Sequence, residues 1–97
     1  MVTAELSVSV AGKGTSMGRF VRAAVEALRK NKRIRVVPGP MSTAIEGRLE
    51  DVFKAAETAH NAVLKLGAGR VGTLLKIDDR RDKPSTLKYK HEVVREI

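Results

Sequence analysis

The sequence predicts an α+β domain whose strands and helices follow the order β-α-β-β-α-β, with an extra C-terminal helix. Three observations support this prediction. Apolar and polar residues alternate near the N-terminus and again near residue 75, as in half-buried strands. Two longer segments instead carry apolar residues at helical spacing. Between these segments, two short β-rich runs flank a Pro-Gly-Pro break, which favours a hairpin.

The N-terminal segment is predicted to form a strand followed by a helix. Apolar and polar residues alternate from Val2 to Val10, which places one apolar and one polar face on the strand. A loop at 11–16 follows, and Ser16 is expected to cap the helix because its hydroxyl can accept from free amides of the first turn. The helix is expected to start at Met17. Its apolar positions are Phe20, Val21, Ala24, Val25 and Leu28.

The middle of the chain predicts a hairpin and a second helix. Residues 33–37 and 41–46 are the expected hairpin arms, and Gly47 closes the second arm. The helix is expected over 49–66, because acidic residues occupy its first turn and Gly67 follows its end. Its inward residues are expected to be Leu49, Val52, Phe53, Ala56, Val63 and Leu64.

The C-terminal third predicts a fourth strand and a last helix. Residues 71–77 alternate again, and Ser85 could cap a helix with Leu87, His91, Val94 and Ile97 on one side. Right-handed crossovers turn the whole order into a four-stranded antiparallel sheet with both long helices on one face. This is the ferredoxin-like arrangement. Since no repeat or linker interrupts the pattern, residues 1–97 are interpreted as one domain.

Composition narrows the possible functions. With no cysteine, the chain can form neither a disulfide nor a thiolate metal site. No segment approaches the roughly 20 apolar residues of a membrane span, and the N-terminus lacks a signal pattern, so we expect a cytoplasmic protein without a membrane partner. At 97 residues the chain is near the lower end of the range in which a core stabilises a fold unaided. Oligomerisation would therefore help it.

The charge balance raises nucleic acid as an alternative partner. There are 19 basic and 11 acidic residues, a net charge of +8, which attracts phosphate. The basic residues are scattered along the chain and often interleaved with acids. The only aromatic residues are Phe20, Phe53 and Tyr89, too few for a base-stacking platform. A nucleic-acid partner is therefore the weaker hypothesis.

Three stretches of the sequence together resemble a known family. They are Glu5 with the loop Gly14-Thr-Ser16, the segment Pro40-Met-Ser-Thr-Ala-Ile-Glu-Gly47, and Arg70-Val71 leading into Lys76-Ile-Asp-Asp-Arg-Arg-Asp-Lys83. In order and spacing they resemble the small thiamine-binding protein family, although Ser42 stands where that family usually has glycine. The resemblance implies a ferredoxin-like fold, a homotetramer, and thiamine or its hydroxymethylpyrimidine part as the ligand.

Two carboxylates are the main candidates for contacting such a ligand. Glu46 lies in a mostly apolar hairpin arm, where a charge is costly unless it meets a partner. A thiamine-like ligand offers a cation and an aminopyrimidine, but an arginine or the amide of Gly47 are alternatives. Glu5 lies on the polar face of the first strand, where it could line a pocket on the open sheet face. Alternatively, Glu5 forms a cross-strand ion pair beneath a second subunit or the last helix.

The loop before the first helix could touch the polar end of a ligand through Thr15 or Ser16, with simple helix capping as the alternative. The residues at this loop do not fit a Walker A or dinucleotide motif. The full set of predicted ligand-binding residues is Glu5, Thr15, Ser16, Met41, Thr43 and Glu46.

No enzymatic activity, resident cofactor or metal site is predicted. His60 and His91 are the only histidines and lack a second ligand at metal spacing. His60 is expected to be a hydrogen-bonded packing residue. The charged segment 78–82 is expected to hold the end of the fourth strand or a subunit contact, with a phosphate near Arg80 and Arg81 as an alternative. A ligand-free oligomeric module and a nucleic-acid binder remain the alternative functions.

Overall fold

The computed structural model describes residues 1–11, 17–83 and 86–95, except for the side chains of Val94 and Arg95. These residues form the predicted order of elements, and the ferredoxin-like α+β fold is confirmed. The elements are β1 (Val2–Val10), α1 (Gly18–Arg29), β2 (Arg35–Pro38), β3 (Thr43–Gly47), α2 (Leu49–Leu64), β4 (Val71–Asp78) and α3 (Leu87–Arg95).

The four strands form one antiparallel sheet in the order β2-β3-β1-β4, so β1 is central and β2 and β4 are the edges. The register of β1 fixes which residues share a face. Thr3 lies between Glu46 and Asp78, and two residues further on Glu5 lies between Ala44 and Lys76. Because side chains alternate along a strand, all of these residues belong to the face opposite α1 and α2. We call this face the open face.

The hydrophobic core lies between the other face of the sheet and helices α1 and α2. Ile45 on β3, Leu28 on α1 and Val52 on α2 are at most 1% exposed. Burial of such side chains is the main favourable term in folding, at about 25 cal/mol per Å² of apolar area. The strand residues of the core are Val2, Ala4, Leu6, Val10 and Ile45.

Helix α2 presents a different face to the core from the one predicted. Val52, Ala56 and Val63 are buried as expected, but Phe53 is 55% exposed. Leu49 and Leu64 are also exposed, so the prediction that Leu49, Phe53 and Leu64 face inward was wrong. Small side chains occupy the centre of the buried face and let the helix approach the sheet closely. The buried residues of α2 are Val52, Ala55, Ala56, Ala59 and Val63.

The helix ends are partly as predicted. Helix α1 begins at Gly18, and Met17 occupies the N-cap position without a side-chain hydrogen bond. The predicted cap, Ser16, lies outside the described residues. Helix α2 ends at Leu64, two residues early, and the stop at Gly67 is confirmed by a positive φ of 89°. Glycine adopts this left-handed conformation without steric cost.

Helix α3 is the predicted C-terminal helix and lies on the open face. The hydroxyl of Thr86 caps it by accepting a hydrogen bond of 3.1 Å from the N–H of Tyr89. The expected cap, Ser85, is outside the described residues. Of the residues predicted to share one side, Leu87 is half-buried and His91 is exposed. Ile97 and the side chain of Val94 are not among the described parts of the chain.

Candidate ligand-binding site

A groove of about 510 Å³ lies on the open face between the sheet and α3. Its volume falls within the 300–1,000 Å³ typical of small-molecule sites. Strands β1, β3 and β4 form its floor, and α3 forms one wall. The lining residues are Thr3, Ala4, Glu5, Ala44, Lys76, Ile77, Asp78, Leu87 and Lys90.

Glu5 lies in this groove, on the open face where the sequence predicted it. Its side chain is exposed, and its Oε2 accepts a hydrogen bond of 3.0 Å from the Ser42 hydroxyl. Ser42 precedes β3, so the contact draws the carboxylate towards the β3 side of β1. A carboxylate with one donor bound retains acceptor capacity for a ligand.

Glu46 anchors the wall of the groove. Its Oε2 accepts a hydrogen bond of 2.7 Å from the backbone N–H of Leu87, at the start of α3. This N–H belongs to the first turn of a helix and has no partner within the helix. A partner for the Glu46 carboxylate was expected from the sequence, and the first turn of α3 provides a hydrogen-bond donor. The partner is neither an arginine nor Gly47, the two alternatives considered from the sequence.

Met41 and Thr43 lie at a different place. Both line a smaller cavity of about 100 Å³ between the β2–β3 hairpin and α1. Thr43 is 7% exposed on the helix-facing side of β3, whereas Met41 is 89% exposed at the hairpin tip. Thr43 and Glu46 are three residues apart on one strand, so they point to opposite faces. The cavity is smaller than the usual range for small-molecule sites.

The predicted ligand-binding residues therefore do not converge on one site. Glu5 lines the groove, Glu46 holds its wall, and Met41 and Thr43 lie on the far side of β3. Thr15 and Ser16 are outside the described residues. Three groove residues with polar ends were missed by the sequence reasoning. Lys76 and Asp78 could have been found, since alternation along β4 places them on the same face as Glu5; Lys90 depends on how α3 docks.

The ionisable groups of the groove are of both signs. Lys90 donates a hydrogen bond to Asp78 and, with its positive charge, lowers the pKa of that carboxyl below its ordinary value. This pair ties α3 to the end of β4. Beyond it, Arg80 pairs with Asp82 at 2.7 Å and Arg81 with Asp79 at 2.9 Å, so these charged residues form local ion pairs in the segment that follows β4.

Positive charge is concentrated on α1, β2 and the segment that joins them. Residues 17–45 contain seven basic side chains and one acidic side chain, a net charge of +6 out of +8 for the chain. All seven are exposed, and none forms an ion pair within the described part of the chain. The interleaving with acids expected from the sequence does not hold here. The seven residues are Arg19, Arg22, Arg29, Lys30, Lys32, Arg33 and Arg35.

His60 lies on the helix side of the sheet, away from the groove. Its Nδ1 shares a hydrogen bond of 2.6 Å with the Thr73 hydroxyl on β4, so the predicted packing role is confirmed. Among residues 1–11, 17–83 and 86–95, no three metal-binding side chains come together. In the same part of the chain, no helix is long and apolar enough to cross a membrane.

The sequence profile of thiamine-binding proteins matches residues 4–95, nearly the whole chain. The chain belongs to the thiamine-binding protein family. A UPF0045 protein of Methanothermobacter thermautotrophicus is 46% identical to this family member over 99% of the chain and 98% of its own length.

Solved structures agree with this assignment. The crystal structure of a hypothetical protein of Methanocaldococcus jannaschii has a TM-score of 0.90 and 38% identity, covering 99% of this chain and 97% of its own. A protein of Thermotoga maritima, assigned provisionally to thiamine biosynthesis or salvage, has a TM-score of 0.81 and 20% identity. That comparison covers 96% of this family member and 97% of the Thermotoga chain, and supports the fold alone.

Proposed function

We propose that this protein is a cytoplasmic, non-catalytic, self-associating protein that binds thiamine or a thiamine-like molecule. The observation that carries the proposal is the Glu5 carboxylate on the floor of a groove of about 510 Å³, in a member of the thiamine-binding family. The groove is large enough for a small heterocyclic ligand, and its open side allows entry.

The chemistry of the groove suits a cationic aminopyrimidine. The Glu5 carboxylate can accept hydrogen bonds from an exocyclic amine and attract the fixed positive charge of a thiazolium ring. Ala44 on the floor and Leu87 in the wall supply apolar contacts for the ring faces. Because Glu5 is already oriented by Ser42, little side-chain freedom is lost when the ligand binds.

A binding role without chemistry is supported by the side chains around the groove. A general acid or base must lie within hydrogen-bond reach of the reacting group. His60 is on the opposite side of the sheet, and His91 does not line the groove. Of the carboxylates in the lining, Glu5 is bound by the Ser42 hydroxyl, and Asp78 is paired with Lys90, which docks α3.

Calorimetric titration tests the ligand. We expect heat of binding with thiamine or with hydroxymethylpyrimidine, and about a tenfold or greater loss of affinity in Glu5→Gln, since a hydrogen bond to a charged group contributes about 1.5–3 kcal/mol. Glu57→Gln, an exposed site on α2, is the matched control and should bind like the wild type. Absence of heat with every thiamine derivative would reject the ligand and favour a ligand-free oligomeric module.

Self-association is supported by β4 and the open face. Strand β4 is a sheet edge of eight residues, and an edge of this length can pair with another chain. The other edge, β2, has four residues and ends in proline, which makes it the poorer template. Leu74 of β4 is 68% exposed on the open face, as an interface residue would be in an isolated subunit.

Sedimentation equilibrium tests the assembly, for which we propose a homotetramer. Leu74→Asp should shift the mass towards smaller species, because it places a charge on the proposed contact, whereas Val21→Asp on the exposed side of α1 should not. A monomer of 10.6 kDa at all concentrations in the wild type would reject self-association.

A further inference from the structure

The groove contains two pairs of opposite charge, and the members of one pair do not meet. Asp78 and Lys90 form an ion pair that docks α3. Glu5 and Lys76 are direct partners in the β1–β4 register, both exposed and both lining the groove. Residues of opposite charge in facing positions on neighbouring strands can form a favourable pair. Among the ion pairs of the described residues, none joins these two side chains.

The reason lies in the neighbouring strand. The Ser42 hydroxyl binds the Glu5 carboxylate from the β3 side, away from β4. Lys76 lies two residues before Asp78 on the same face, and Asp78 is occupied by Lys90. The groove therefore offers a carboxylate and an ammonium group side by side, and each retains hydrogen-bonding capacity.

A ligand with only a positive charge would engage only one of these two groups. Such a ligand would be attracted by Glu5 and repelled by Lys76, which faces Glu5 on the neighbouring strand. The surrounding field adds to the repulsion, because the chain carries a net charge of +8. A ligand that carries a cation and an anion would satisfy both side chains, and the same field would favour its anionic end.

We propose that the groove selects a phosphate ester of thiamine over thiamine itself, with Glu5 engaging the cationic heterocycle and Lys76 the phosphate. The inference rests on the proposed function and names its ligand more closely. A lysine ammonium forms charge-assisted hydrogen bonds with phosphate oxygens without requiring a fixed geometry.

Calorimetric titration with thiamine and with thiamine monophosphate tests this selection. We expect the wild type to bind the monophosphate about tenfold tighter, a preference that shrinks as salt is added. Lys76→Gln should remove the preference by weakening monophosphate binding while leaving thiamine binding unchanged or stronger. Lys54→Gln removes the same charge from α2, on the other side of the sheet, and should keep the preference.

The outcomes separate the two proposals. If thiamine binds as tightly as the monophosphate, the selection is wrong and the proposed function stands. If the preference exists but survives Lys76→Gln, Lys76 does not hold the phosphate and this inference fails; Arg80 and Arg81 then become the phosphate candidates. If neither compound binds, the selection is wrong, and if hydroxymethylpyrimidine does not bind either, the proposed function also fails.

Discussion

The Glu46 carboxylate accepts a hydrogen bond of 2.7 Å from the backbone N–H of Leu87, 41 residues further along the chain. This contact joins β3 to the first turn of α3. A negative charge at the start of a helix also interacts favourably with the helix dipole. Glu46 therefore stabilises the position of α3, and α3 in turn forms a wall of the groove.

Replacing Glu46 by alanine should weaken the docking of α3. We expect a loss of about 1–2 kcal/mol in the free energy of unfolding, the range for loss of a helix cap or a hydrogen bond to a charged group. Urea denaturation measures the global effect, and amide exchange shows whether α3 opens first. The exposed Glu57 on α2 provides the control, and Glu57→Ala should change stability by less than about 0.5 kcal/mol. Equal effects at the two sites would contradict the capping role.

The Asp78–Lys90 pair should make α3 docking sensitive to acid. Lys90 lowers the pKa of Asp78 from its ordinary 3.8, so the folded protein binds this proton less tightly than the unfolded chain. The contribution is complete above pH 3.8 and is lost as the pH falls through the lowered pKa. Tyr89 of α3 is the only tyrosine in a chain without tryptophan, so its fluorescence can report the loss.

Asp78→Asn should remove this acid-dependent component of the Tyr89 signal. Asp82→Asn is the matched control, because Arg80 lowers the pKa of Asp82 in the same way but neither residue belongs to α3. An unchanged acid transition in Asp78→Asn would show that another group governs the docking of α3.

The hydrogen bond between His60 and Thr73 should contribute to the packing of α2 on β4. Thr73→Val removes one partner and leaves a half-buried imidazole nitrogen unpaired, which costs about 1–3 kcal/mol. Replacing both partners, in His60→Leu with Thr73→Val, should recover part of that loss. Thr58→Val is a control, since the Thr58 hydroxyl bonds only within its own helix. Simple additivity of the two single changes in thermal or urea denaturation would argue against the contact.

A side chain at Gly67, just after α2, should destabilise the folded protein. Its φ of 89° is left-handed, so Gly67→Ala should lower the free energy of unfolding by about 1 kcal/mol. A Cβ at Gly67 would meet nothing within 4 Å, so the cost is conformational rather than steric. Gly69→Ala has equal space and no left-handed φ, and should be neutral or slightly stabilising. Equal stabilities of the two variants by denaturant titration would refute this.

The fold could be predicted because its patterns are local. Alternation identified β1 and β4, and Gly67 marked the end of α2. The exposed Phe53 was missed because helical spacing defines an apolar stripe without fixing its centre. In α2 the centre falls on alanines, whose small size matters only once the helix meets the sheet.

The site could be predicted only in part because it depends on contacts between distant segments. The side of Glu5 followed from the period of β1. Side chains alternate between the two faces along a strand, so the sequence could also have shown that Thr43 and Glu46 point to opposite faces. The partner of Glu46 could not be found in this way, because it depends on where the chain returns 41 residues later.

Among the described residues, helix α3 contributes to the groove but not to the hydrophobic core. Within the described residues, the hydrophobic core draws no member from α3, while Leu87 and Lys90 form part of the groove. Truncation before residue 86 should therefore leave a folded sheet with two helices. Substitutions in α3 should accordingly alter the groove without unfolding the rest of the domain.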